Sequence, residues 1–272
     1  MVSLEFFKSD QDFSSACCNF YENKHIQTFL GPSFHPGGLA LTKELGLKLG
    51  LRPSDKILDL ASGIGTTAIF LAKKFGSSVT GIDLSHKNVI KANTIAKQEN
   101  LDHRVKFKIG NAEQLSFKDQ SFDVVIIECS FCLFQNKISV SQEIYRVLKD
   151  NGRIGVSDIV IEKKLPFEIE QMIFQVACLA NALSTTGYTQ YFKKSGLKIQ
   201  LLEHKSDVLI EMLSRFKKML FVAELVSKTK KINLGNISLS QVKNWLREGE
   251  KFIQDGSLNY LVLIAKKVKD AT

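Results

Sequence analysis

A strand-length apolar run, Lys56-Ile57-Leu58-Asp59-Leu60, breaks into the small-residue turn Ala61-Ser62-Gly63-Ile64-Gly65, and a helical pattern follows from Thr67 to Phe75. A second short apolar run, Val79 to Ile82, then ends on Asp83. Strand, turn, helix and strand in that order specify a βαβ unit with parallel strands. Small residues in the turn let the backbone approach a ligand closely, and the helix after it presents free N–H groups. A carboxylate at the tip of the second strand is placed to accept both hydroxyls of a ribose. This unit therefore predicts a nucleoside-containing ligand.

Spacing narrows the ligand. From Gly63 the chain reads Gly63-Ile64-Gly65-Thr66-Thr67-Ala68, close to the dinucleotide pattern G-x-G-x-x-G, so the glycines alone do not exclude NAD. Asp59, inside the end of the first strand, separates the two cases: a carboxylate there repels a pyrophosphate and suits a cationic amino-acid ligand. The pattern D-x-x-x-G-x-G with a later Asp resembles motif I of the class I S-adenosylmethionine (SAM)-dependent methyltransferases, with Ala61 in place of the commoner glycine. The resemblance implies that Ala61, Gly63 and Gly65 lie under the methionine moiety. It also implies that Asp83, with Leu84 beside it, holds the ribose. The segment Ile109-Gly110-Asn111-Ala112-Glu113-Gln114-Leu115-Ser116-Phe117 is similar to the family's adenine loop, G-D-A-E-x-L-P-F. By that likeness Asn111 accepts the adenine amino group, an amide oxygen replacing the usual acid, and the Ala112 N–H meets a ring nitrogen. An Asx-turn is the alternative role for Asn111. Ser121-Phe122-Asp123-Val124-Val125 and Arg146-Val147-Leu148-Lys149 extend the match, and Glu128 is a further candidate for orienting the cofactor's amino group or a substrate.

From Lys56 onward strand and helix patterns alternate, which predicts an α/β, Rossmann-like fold. Strands are predicted at 56–60, 79–83, 105–109, 122–127, 153–158, 197–203 and 258–267, and helices at 67–75, 86–99, 138–148 and 186–195. The resemblance implies a seven-stranded, mostly parallel sheet whose last strand is antiparallel. Residues 166–182 also read as helical. Between the last two strands, 206–228 and 239–254 read as amphipathic helices, a helical insertion and a candidate oligomerisation surface. The predicted organisation is an N-terminal helical cap over 1–50, a SAM-binding core over 51–205, the insertion over 206–257, and the last core strand with a tail over 258–272.

Composition excludes several classes. No window approaches the 18 or so apolar residues of a spanning helix, and the N-terminus has no signal-peptide core, so a cytoplasmic protein with no membrane partner is expected. Five cysteines, an odd number, do not suggest a disulfide framework. The net charge of +9 is spread along the chain, densest at Lys228, Lys230 and Lys231, without the basic–aromatic interleaving of single-strand binders. That argues for a solvated lysine-rich surface and against a nucleic-acid partner.

The acceptor is read from the end of the fourth strand, Ile127-Glu128-Cys129-Ser130-Phe131-Cys132-Leu133-Phe134. There is no N/D-P-P-aromatic element to clamp a flipped base, so a small-molecule substrate is expected. Glu128-Cys129 through Lys137, together with Cys178 to Leu183, resembles the thiol-bearing segments of arsenite methyltransferases. That narrower likeness implies that Cys129 and Cys178 hold arsenite or another soft acceptor, since soft thiolates select soft ions. Cys132 is a candidate third ligand, because the arsenite enzymes carry a further cysteine where this chain has Thr67-Ala68. The open alternatives are an oxygen, nitrogen or carbon acceptor with the cysteines merely packed, and an RNA- or protein-binding module on a methyltransferase fold. His35 beside Pro36 is either a general base for an oxygen or nitrogen acceptor or an ordinary loop residue.

Overall fold

A computed structural model describes residues 35–166, 181–227 and 239–268. Residues 1–34 of the predicted N-terminal cap, residues 167–180 of the predicted helical stretch, the lysines at 228–231 and Cys178 lie outside those residues. Strand β1 (Lys56–Leu60) leads through the glycine turn into helix α2 (Thr66–Phe75), which follows α1 (Gly38–Lys48) in the chain. Then come β2 (Ser78–Asp83), α3 (His86–Gln98), β3 (Val105–Ile109), β4 (Phe122–Glu128), a 3-10 turn at Phe131–Leu133, and α4 (Lys137–Val147). The chain continues with β5 (Leu148–Ile161), α5 (Thr185–Lys194), β6 (Leu197–His204), α6 (Ser206–Ser227), α7 (Leu239–Gln254) and β7 (Leu258–Lys267).

The seven strands form one sheet in the order β3-β2-β1-β4-β5-β7-β6. The pairs from β3 to β5 are parallel, and β7 inserts antiparallel between β5 and β6. Within β1 the period of two sends Ile57 to one core and Leu58 and Leu60 to the other. The Ile57 face is covered by α1, α2, α3, α6 and α7, through residues such as Leu45, Leu71, Ala92, Leu209 and Ile253. The other is covered by α4 and α5, through Val140, Ile144, Tyr188 and Phe192. The predicted insertion thus joins the main core: Leu209 and Ile253 are buried in the same cluster as Tyr260 and Val262.

Strand and helix bounds match the sequence expectation closely, with one difference. The turn Asp150-Asn151-Gly152, predicted to precede β5, lies within it. Leu148 already pairs with Phe122 before the register shifts and Arg153 pairs with Val124. Asn151 adopts φ 63°, so the turn bulges out of a strand that has already begun. Ser85, Asn136 and Ser184 cap α3, α4 and α5 by accepting backbone N–H bonds. Helix α2 starts instead from Gly65 with no side-chain cap, and its Ala68 N–H bonds Asp59.

Candidate active site

The direction of sheet growth reverses between β1 and β4, and ligands in open α/β sheets bind beyond the carboxyl ends of the strands at such a point. Three carboxylates meet there: Asp59 of β1, Asp83 of β2 and Glu128 of β4. Asp59 is only 3% exposed, and its Oδ2, like the Oγ of Ser62, is buried without a hydrogen-bond partner. Burial, then the charges of Glu128 and Asp83, push the Asp59 carboxyl well above the usual carboxylate range, against a bond from the Ala68 N–H at the start of α2.

Asp83 organises the turn. Its Oδ2 accepts the Gly63 N–H at 2.8 Å, while Oδ1 accepts the Ser85 N–H at 2.9 Å and Asn88 Nδ2 at 3.3 Å. Ala61, Gly63 and Gly65 all take positive φ, at 56°, 55° and 85°. At Ala61 that conformation costs about 1–2 kcal/mol, which explains why a glycine is the commoner residue there. Gly65 is required for a reason that the sequence did not show. A Cβ on it would lie 2.4 Å from the Phe107 ring, and one on Gly81 would also lie 2.4 Å from that ring. The two glycines form a slot for Phe107, so Gly65 serves packing as well as close ligand approach.

Beyond the tip of β2, Leu84 and Ile109 keep 50% and 55% of their surface exposed, apolar groups at the ends of adjacent strands. Asn111 is exposed, and its Oδ1 accepts the Glu113 N–H at 2.9 Å, which is the Asx-turn. Ala112 is buried. The loop from 111 to 119 is tied to α4 by Arg146, which donates to the Phe117 and Leu115 carbonyls at 2.7 and 2.9 Å and pairs with Asp119 and Glu143. Glu143 in turn accepts the Leu115 N–H at 2.6 Å. This explains the Arg146-Val147-Leu148-Lys149 motif, for which the sequence offered a likeness but no task. Arg146→Ala removes two charge-assisted carbonyl bonds from a partly exposed site. The variant is expected to lose about 2 kcal/mol of stability, with amide exchange accelerating in 111–119 ahead of the rest of the chain.

Glu128 receives more than its motif suggested. Its Oε2 accepts from Thr67 Oγ1 at 2.7 Å and Thr42 Oγ1 at 2.9 Å, and His35 Nε2 lies 3.3 Å away. Four elements of the sequence thus meet at one carboxylate: the segment before α1, α1, the first turn of α2 and the end of β4.

The described cysteines sit just beyond. Cys129 has φ 52° and donates its N–H to the Ser157 carbonyl at 2.7 Å. Cys132 is fully buried, its N–H donating to Asp158 Oδ2 at 2.9 Å. Burial first, and the Asp158 charge second, push both thiols well above the usual range, so both are held as thiols. Burial also raises Asp158, to about 6, and lowers Lys137, whose Nζ donates to the Phe134 and Cys132 carbonyls at 2.7 and 3.3 Å. Among the described residues no group of three His, Cys, Asp or Glu side chains is placed to hold a metal ion, and no helix is long and apolar enough to cross a membrane.

A methyltransferase-domain family model matches residues 51–196, more than half of the chain. The chain is 31% identical over 166 residues to an "uncharacterized protein" of Haemophilus influenzae, covering 60% of this chain and 66% of that one. It is 28% identical over 230 residues to 27-O-demethylrifamycin SV methyltransferase of Amycolatopsis mediterranei, covering 84% and 82% of the two. Among solved structures, the fold resembles that of Haemonchus contortus phosphoethanolamine N-methyltransferase 2 in complex with phosphomonomethylethanolamine and S-adenosylhomocysteine. The TM-score is 0.77 at 21% identity, over 97% of this chain and 61% of that one. Together with the carboxylate-ringed turn at the β1/β4 switch point, the family match shows that this chain belongs to the class I SAM-dependent methyltransferases.

Proposed function

We propose that the chain methylates a small-molecule acceptor, with its cofactor held by the β1 turn, the tip of β2 and the loop after β3. The observation that carries this reading is the Asp59 carboxylate: buried, short of a partner at Oδ2, and crowded by Asp83 and Glu128. Buried charge of one sign is costly unless it is paired, and a ligand carrying an ammonium and a sulfonium offsets it. SAM, when bound, supplies a methyl group activated by the sulfonium. The chain's own residues supply the rest. Asp59 and the start of α2 would hold the amino-acid end, with Ala61, Gly63 and Gly65 keeping the backbone low beneath it. Asp83 would accept the ribose hydroxyls, Leu84 would flank the base, and Asn111 and Ala112 would border it from the adjacent loop. Glu128 would face the methionine end.

A small-molecule acceptor is supported by the relatives, whose names specify a rifamycin and phosphoethanolamine. The full burial of Cys132, with its N–H bonded to Asp158, supports a packing role for it over soft-ion ligation. Calorimetry tests the cofactor reading. The protein is expected to bind both SAM and S-adenosylhomocysteine, and Asp83→Ala to weaken both by at least about 10-fold, roughly 1.4 kcal/mol. No heat with either ligand, or equal affinities in the variant, would sink it.

A further inference from the structure

We propose that Asn93 of α3 is a positioning residue for the cofactor turn: its amide fixes the backbone of Phe107, and the Phe107 ring sets the height of the turn at Gly65. This rests on the cofactor reading above and adds to it a residue whose own hydrogen bonds all lie outside the turn.

Strand β3 stands at an edge of the sheet. In a parallel pair, alternate residues bond to the neighbouring strand, and those between them turn both N–H and C=O the other way. The Val79 N–H donates to the Arg104 carbonyl at 2.9 Å and the Gly110 N–H to the Asp83 carbonyl at 3.1 Å, so the even-numbered residues of β3 face β2. Val105, Phe107 and Ile109 therefore face outward, where the described residues offer no further strand. The Leu101 carbonyl accepts the Val105 N–H at 2.8 Å. Phe107 finds both of its partners on one side chain: its N–H donates to Asn93 Oδ1 at 3.1 Å, and its carbonyl accepts from Asn93 Nδ2 at 3.0 Å. Nδ2 also donates to the Val89 carbonyl, one helical turn back, at 3.0 Å. These three bonds fix the amide's orientation, because turning it over would set a donor against the Phe107 N–H. Asn93 thus stands in for a missing strand at a single residue.

That residue is the one whose ring lies against the turn. A Cβ on Gly65 would lie 2.4 Å from the ring's ζ carbon, and one on Gly81 would lie 2.4 Å from a δ carbon and 2.6 Å from Ser62 Oγ. Strand β2 holds the turn at Ser62, whose N–H donates to the Ile82 carbonyl at 2.9 Å, and at Gly63, whose N–H donates to Asp83 at 2.8 Å. At Gly65, where φ is 85°, the support comes from β3 through the Phe107 ring. An edge strand opens locally more readily than one paired on both sides, and the Asn93 amide removes that freedom at Phe107. Asn93 itself is exposed whereas Phe107 is buried, so removing the amide leaves the core composition unchanged and acts on where the ring sits.

The test is calorimetry with SAM and with S-adenosylhomocysteine on wild type, Asn93→Leu, Phe107→Leu and the double variant, each shown to be folded by circular dichroism. Leucine matches asparagine in shape and lacks its donor and acceptor. Asn93→Leu is expected to weaken both ligands about 10-fold. In the Phe107→Leu background the same change should weaken them hardly further, because the amide acts through the ring. Should Asn93→Leu not fold, Asn93→Asp, which keeps the acceptor and loses the donor, is read in the same cycle. An affinity equal to that of wild type would overturn the positioning role, since an amide that only stabilises the fold lowers stability without moving the Kd of the folded protein. Losses that add in the double variant would overturn it as well. Wild type that binds neither ligand overturns the cofactor reading itself.

Discussion

Asp59→Asn is expected to make the unliganded protein more stable while nearly abolishing its affinity for SAM. The wild-type carboxylate is buried, faces two like charges and has an oxygen without a partner. Replacing a buried charge of that kind with a neutral isostere commonly gains about 1–4 kcal/mol. The sign with pH follows from the direction of the shift. Asp59 is raised in the folded state, so the folded protein holds its proton more tightly than the unfolded chain does. Wild-type stability therefore falls as pH rises from the ordinary carboxylate range through the raised folded value. The variant lacks this loss, and its advantage is largest at the alkaline end of that window. Binding moves the other way. In the proposed complex the ligand's ammonium would lose a buried, charged partner, which costs about 3 kcal/mol, or roughly 100-fold in Kd. Urea denaturation across pH and calorimetry with SAM read the two effects on the same preparations. A variant less stable than wild type at neutral pH, or one that binds SAM as wild type does, would show that Asp59 is structural.

Gly81→Ala and Gly65→Ala are both expected to destabilise the fold strongly, with Phe107 sharing in both costs, beside Ser62 at Gly81 and backbone strain at Gly65. A methyl group at Gly81 would press on the Phe107 ring at 2.4 Å and on Ser62 Oγ at 2.6 Å, an overpacking that costs about 3 kcal/mol. At Gly65 the same ring stands at 2.4 Å, and φ 85° adds left-handed strain of about 1–2 kcal/mol. Shrinking the ring separates the two contributions. In a Phe107→Leu background, Gly81→Ala should lose the ring's share of its cost and keep the share set by Ser62 Oγ, whereas Gly65→Ala should keep its backbone share. A double-mutant cycle measures this directly. Additive losses at Gly81 and Phe107 would mean that the ring does not occupy the slot between them.

The βαβ unit, the acids at the strand tips and the bounds of most elements were legible in the sequence because each depends on local spacing. A period of two along Lys56–Leu60 and a helical period after Gly65 suffice to place Asp59 and Asp83 at neighbouring strand ends. Asn111 was legible in both of its readings, and the structure places its side chain in the Asx-turn. The site beyond the cofactor turn was much less visible. Thr42 and Thr67 stand 86 and 61 residues from Glu128. His35 had only its neighbour Pro36 to recommend it. Phe107 read as one more apolar strand residue, and no local pattern ties it to two glycines of other elements. The arsenite likeness drew on the positions of Cys129 and Cys178, of which Cys178 lies outside the described residues, but whether a cysteine is a thiolate depends on what surrounds it.

The sequence by itself determined that a parallel sheet carries a small-residue turn with an acid before it and an acid after it, because backbone periodicity and turn chemistry act over a few residues. Only the tertiary structure decided how those acids behave. Asp59 is raised because the fold buries it and then because Glu128 and Asp83 arrive from other strands. The two thiols are pushed up by desolvation and then by the charge of Asp158, which the neighbouring strand brings beside them. His35 becomes a partner of Glu128 because α1 folds back over the switch point. Desolvation and charge coupling are sums over neighbours that distant parts of the chain bring together, and no local spacing encodes that sum.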